Sequence, residues 1–138
     1  MKKLILIITL FSIISASFLG CSSDASETDS ETEAIWDTIS AEEAKKMMEA
    51  SNDLIILDVR TEEEYNESHI EGSILIPDTE VESKAEEMLP DKSATILVYC
   101  RSGRRSALAS EILNKLGYTA IYDFGGITDW PYEVVEGN

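Results

Sequence analysis

Apolar and polar positions change period several times along this chain, and each change marks an element. Leu54 to Val59 reads Leu-Ile-Ile-Leu-Asp-Val, a nearly continuous apolar run that predicts a strand covered on both faces. Thr95 to Cys100 is a second such run. Shorter strands are predicted at 35–39, where apolar and polar residues alternate, at 73–77, where Pro77 stops the run, and at 119–123. Between the strands, apolar residues return every three or four positions. Ala44, Met47 and Met48 form one helical stripe, Val81, Ala85, Met88 and Leu89 a second, and Leu108, Ala109, Ile112, Leu113 and Leu116 a third.

Punctuation fits these periods. Ser40 with Glu43, Thr61 with Glu64 and Thr79 with Glu82 each have the spacing of a capping box, and the second opens a short helix through Tyr65. Pro90-Asp91 ends the second stripe, and Gly117 takes the position just past the third. Gly125-Gly126 reads as a turn, followed by a short helix or turn at 127–130 before Pro131. There is no internal repeat. Strands alternating with helices predict a parallel α/β sheet with helices on both faces.

The first 34 residues follow a different pattern. Met1-Lys2-Lys3 is positive, Leu4 to Leu19 carries no charge, and Gly20-Cys21 follows, the layout of a secretory signal peptide over 1–20. As a helix that uncharged run would span roughly 24 Å, short of a hydrocarbon core near 30 Å. Phe18-Leu19-Gly20-Cys21 resembles a bacterial lipobox. Gly20 and Cys21 match it, while Phe18 and Leu19 depart from the usual leucine and small residue. The resemblance implies lipid on Cys21 and an extracytoplasmic, membrane-anchored protein; the alternative is ordinary secretion. Residues 22–34 hold five acids and no base, so 21–34 is expected to be a lipid-bearing cysteine and an extended acidic tether. The globular domain is then 35–138.

Charge narrows the partners. The net charge is −16. Nine of the eleven basic residues and twenty-two of the twenty-seven acids lie from residue 35 onward, so the domain itself carries −13. Nucleic acid is excluded as a natural partner. Against that background the chain has four arginines, Arg60, Arg101, Arg104 and Arg105, and all four are expected just past the carboxyl end of a strand. Ligands of such sheets bind at that edge. Gathering every guanidinium there suits a small anion; a salt-bridge cluster at helix starts is the alternative.

The chemistry concentrates at Thr95–Ser106, read as strand, loop and helix with Cys100 at the strand's end. In such a turn the amides of residues 101–105 can converge on one point, and the helix start adds partial positive charge. A sulfur there is held as thiolate below the free value of about 8.5, and oxyanions are drawn to the same place. The expected chemistry is a nucleophilic thiolate beside an anion cradle. No cluster of ligating side chains suggests a metal or other cofactor. Cys21 and Cys100 are the only cysteines and are not expected to pair.

These residues resemble a single-domain rhodanese, a thiosulfate sulfurtransferase-like module, over about 35–138. Cys100-Arg101-Ser102-Gly103-Arg104-Arg105-Ser106 matches the family's active loop, Cys-Arg-x-Gly-x-Arg-Ser. Leu57–Arg60 with Glu64-Tyr65, then His69-Ile70, Gly72-Ser73 and Ile76-Pro77, match its first signature region, and Gly125-Gly126-Ile127 with Trp130 its closing one. Ser68 departs from the glycine that often precedes the histidine. The resemblance implies a three-layer fold with a small parallel sheet of about five strands. It also implies a persulfide on Cys100, taken from a small sulfur oxyanion such as thiosulfate and passed to a thiol or cyanide. The substrate would be bound by Arg101, Ser102, Gly103, Arg104, Arg105 and Ser106, with Arg101 and Arg105 orienting the sulfonate and Arg104 turned to solvent. Asp58, Arg60 and His69 would support the loops, His69 through a hydrogen bond and not as a base. A monomer without cofactor is expected.

Two other readings remain open. Related cradles in phosphatases and arsenate reductases use Cys-x5-Arg; here position 106 is Ser106, and Arg105 gives the shorter Cys-x4-Arg, which favours sulfur transfer. A non-turnover sulfur carrier would need the same Cys100.

Overall fold

The computed structural model describes residues 36–137. The leader expected at 1–20, Cys21 with its expected lipid, and the tether expected to residue 34 lie outside the described residues. Ten elements follow in order: β1 (Asp37–Thr38), α1 (Ala41–Ala50), β2 (Ile55–Asp58), α2 (Glu62–Glu67), β3 (Ile74–Leu75), α3 (Val81–Met88), β4 (Thr95–Cys100), α4 (Arg104–Lys115), β5 (Ala120–Gly126) and a 3-10 turn at Ile127–Asp129. The five strands form one parallel sheet in the order β1-β5-β4-β2-β3. This is the α/β architecture that the alternating periods predict.

Both faces of the sheet are covered. Leu57, Val59, Ile96, Val98 and Cys100 pack with Val81 and Ala85 of α3 and with Ala109 and Leu113 of α4. Leu97 and Tyr99, one step out of phase along β4, pack on the other face with Ala44 of α1, Ile70, Phe124 and Trp130. The two-residue repeat of the strand therefore divides β4 between two cores. Cys100 lies on the α3/α4 side.

The capping boxes at Ser40/Glu43 and Thr61/Glu64 form as spaced. The third does not. Glu80 occupies the cap position of α3, and no side chain bonds there. The Glu80 amide donates to the Pro77 carbonyl at 2.7 Å, and this turn shifts the helix start one residue past Thr79. Two residues read as helix core are out in solvent, Met88 at 42% and Leu108 at 48% exposure; Val81, Ala85, Ala109 and Leu113 form the actual seams. Gly125-Gly126 is not a turn but the end of β5. Pairing with β4 slips between Val98–Asp123 and Cys100–Gly126, so β5 spends one extra residue there, a bulge that carries its end under the Cys100 loop.

Candidate active site

β4 delivers Cys100 to the carboxyl edge of the sheet, and α4 begins four residues later. The link needs a left-handed residue, which Gly103 supplies with φ +98°. The Gly103 amide then donates to Cys100 Sγ at 3.0 Å. Ser106, fully buried one turn into α4, places Oγ 3.6 Å from the sulfur while donating to the Gly103 carbonyl at 2.9 Å. The sulfur is not a surface group: Cys100 is 1% exposed. Burial pushes the thiol up, but the Ser106 amide and hydroxyl and the Ser102 and Gly103 amides favour the thiolate, and the balance lies below the ordinary value. Cys100 carries a free thiol.

The loop is held from outside by the closing segment. Thr128 donates twice to the Arg101 carbonyl, from its amide at 3.2 Å and its hydroxyl at 2.9 Å. In a trans peptide the C=O and the next N–H point in opposite directions. Fixing the Arg101 oxygen outward therefore turns the Ser102 amide toward the sulfur. Gly126 closes the contact: a β-carbon there would lie 2.3 Å from the Arg101 oxygen. Asp123, nearly buried at the end of β5, accepts the Gly125 amide at 2.9 Å, and the Ser106 hydroxyl reaches the Gly125 carbonyl at 3.3 Å. Burial pushes the Asp123 carboxyl up despite these donors.

The four arginines do share the predicted edge, but two are engaged by carboxylates. Arg60 is buried, bonded to Asp58 at 2.7 and 3.0 Å and to the Ser68 carbonyl at 2.6 Å, beside the Tyr99 ring. Arg60 is therefore occupied beneath the site, bonded to Asp58 and the Ser68 carbonyl, and does not join the other guanidiniums in facing an anion. Arg105 forms a two-pronged bond with Glu64 at 2.8 and 2.9 Å, which lowers that carboxyl to about 2. Arg101, Ser102 and Arg104 are exposed at the rim. His69 stacks on Tyr65 at 3.8 Å, with Nδ1 2.9 Å from the Tyr65 carbonyl, and its backbone exchanges two bonds of 2.8 Å with Val135. None of its hydrogen bonds runs to Cys100.

Sequence reasoning missed Thr128, Asp123 and the Glu64–Arg105 pair. An aspartate in an apolar strand just before Gly-Gly was a visible signal for Asp123. Thr128 gave none, because its partner is 27 residues away. Among the described residues, no group of three or more His, Cys, Asp or Glu is placed to hold a metal.

The family model for the rhodanese-like domain matches residues 40–132. Thiosulfate sulfurtransferase PspE of Escherichia coli is 42% identical over 81 residues, 59% of this chain and 78% of that protein. The putative sulfur carrier protein YrkF of Bacillus subtilis is 37% identical over 105 residues, 75% of this chain and 56% of that one. A solved rhodanese with anions from E. coli superposes with a TM-score of 0.57 at 41% identity, covering 60% of this chain and 98% of the other.

Proposed function

The chain belongs to the rhodanese-like domain family, and from that premise we propose that it moves sulfane sulfur from thiosulfate or a similar oxyanion to a thiol or cyanide through a persulfide on Cys100. The observation that carries this reading is the set of amides from Ser102, Gly103 and Ser106 around one sulfur. They favour the thiolate in a buried setting, where a fixed dipole acts most strongly.

In the first step the Cys100 thiolate attacks the outer sulfur of thiosulfate. A new S–S bond forms, the donor's S–S bond breaks, and sulfite leaves with the electron pair. Arg101, Arg104 and the half-engaged Arg105 offer positive charge to the sulfonate. With so little of the thiol in solvent, the donor presents its terminal sulfur end-on. The same amides then hold the persulfide anion. In the second step the acceptor attacks the outer sulfur and Cys100 leaves as thiolate. A solved relative described as a rhodanese with anions is in keeping with a small anionic substrate.

Mass spectrometry of Cys100 after thiosulfate, with sulfite assayed, tests this: one added sulfur is expected, and none overturns it. The name of the B. subtilis relative supports the second reading, a carrier; labelling without turnover on cyanide selects it. Hydrolysis of an aryl phosphate without persulfide would select a phosphatase instead.

The proposal also places the domain outside the cytoplasm, anchored through lipid on Cys21. Its support is the Met1–Cys21 sequence. Palmitate incorporation that disappears in Cys21→Ser is the expected result.

A further inference from the structure

Two carboxyl groups are buried among the described residues, Asp58 and Asp123. Asp58 is paired with Arg60. Asp123 is 4% exposed and makes no ion pair among the described residues. It pairs in register with Val98, which packs on the α3/α4 side, so β5 aims it to the side that holds Cys100. None of the charged groups around that sulfur pairs with Asp123. Arg105 of α4 is gripped by Glu64 of α2, with Asp78 from the turn before α3 also near it, and Arg101 and Arg104 stand at the exposed rim. From α3, Val81 and Ala85 face this core. What does reach the Asp123 carboxyl is the Gly125 amide at 2.9 Å and the side chain of Ser106. Ser106 has one hydroxyl hydrogen and four acceptors for it: the Gly103 carbonyl at 2.9 Å, the Gly125 carbonyl at 3.3 Å, the Cys100 sulfur at 3.6 Å and the Asp123 carboxyl. An ionised Asp123 draws that hydrogen away from the sulfur. A protonated Asp123 brings a hydrogen of its own.

We propose that Asp123 is a positioning residue for Cys100: it holds a proton while the sulfur is charged, donates it in a hydrogen bond to Ser106 Oγ, and so leaves the Ser106 hydrogen for the thiolate and the persulfide. The persulfide half of this inference rests on the sulfur-transfer reading; the thiolate half does not. In the step it assigns, the Cys100 S–H bond breaks, Ser106 Oγ takes that proton and passes its own to Asp123, and an O–H bond forms on the carboxyl. One negative charge occupies the buried site before and after, moved from Asp123 to Cys100, and no co-reactant is consumed. Two anions held together away from water repel, so the pair titrates as a unit. Burial, which pushes the Asp123 carboxyl up, acts in the same direction. When thiosulfate adds its outer sulfur, the charge passes to that sulfur and the proton stays on Asp123.

The test compares the purified wild type with Asp123→Asn, whose amide can bond Ser106 and Gly125 as the neutral acid would but cannot ionise. Thiolate absorbance against pH, with the Cys100→Ser spectrum subtracted, reads Cys100 in the reduced protein. Its midpoint should fall by about one pH unit in Asp123→Asn, the weight of two interacting sites. A role limited to bracing the loop would move the midpoint up, toward an ordinary cysteine, and no role would leave it in place; either result overturns the proposal. The carbon-13 shift of the Asp123 carboxyl gives the reciprocal reading without that variant. Its titration midpoint should lie higher with a persulfide on Cys100 than in Cys100→Ser, and equal midpoints overturn the proposal. If mass spectrometry finds no sulfur added by thiosulfate, the sulfur-transfer reading falls, and the thiolate midpoint alone decides the role of Asp123.

Discussion

Cys100 sits between opposed influences: burial disfavours its anion, and amides and a hydroxyl favour it. The net lowering predicts that persulfide formation from thiosulfate follows pH along a thiolate titration whose midpoint lies below that of an ordinary cysteine. Rates of sulfite release against pH check this; a midpoint above that value contradicts the cradle. Thr128→Val removes one of two bonds to the Arg101 carbonyl without changing side-chain size. It should lower kcat/KM for thiosulfate about threefold to tenfold, the effect of roughly 1 kcal/mol, and leave the melting temperature nearly unchanged. At this scale Cys100 and its loop were legible because every part lies within seven consecutive residues. Thr128 and Asp123 were not, since their roles exist only once β5 lies beside β4.

Elements meet at two points that decide whether the loop holds its shape. Where β5 passes under the loop, Gly126→Ala would force a methyl group into the Arg101–Ser102 backbone. Relief requires moving one of two main chains, so transfer should fall at least a hundredfold, with a stability loss of about 1–3 kcal/mol by thermal melting. Where α2 meets α4, Glu64 caps its own helix and grips Arg105. Its folded-state value near 2 lies below the usual 4.5. A depressed carboxylate adds stability that is complete above the unfolded value and disappears as pH falls toward the folded one. Glu64→Gln keeps the cap but loses the charge. The melting-temperature gap between wild type and this variant should therefore be open at pH 7 and close between about pH 4.5 and 2, and it should be small, because ion pairs still reached by solvent are worth about 1 kcal/mol or less. Both true capping boxes were readable from spacing alone. The false one at Thr79 had the same spacing and failed because the Pro77 turn already supplied a bond to Glu80. Gly125-Gly126 was misread as a turn for a related reason: glycine marks close approach as well as reversal, and only the neighbouring strand tells which.

Across the whole molecule, the fold followed from period: strands covered on both faces, helices between them, and the handed crossovers that such a chain must take. Strand order and the division of β4 between two cores required the assembled sheet. The acidic surface acts at this scale too. With −13 on 104 residues, like charges repel throughout the domain. Raising sodium chloride from about 0.01 to 0.15 M shortens the screening length from about 30 to about 8 Å. The melting temperature should rise by several degrees over that range, as thermal scans at constant pH would show; a fall would mean that attractive pairs dominate.

One hundredth of the Cys100 surface in contact with water has a practical consequence for anyone counting reactive thiols. A maleimide or other broad-headed tag has to reach a sulfur that is almost wholly covered, whereas a slender anion tipped with a single sulfur needs far less of it laid bare. A survey that equates tagging with reactivity would score this cysteine as inert even if it accepts sulfur as proposed. The reagent to use is the one whose girth matches the guest.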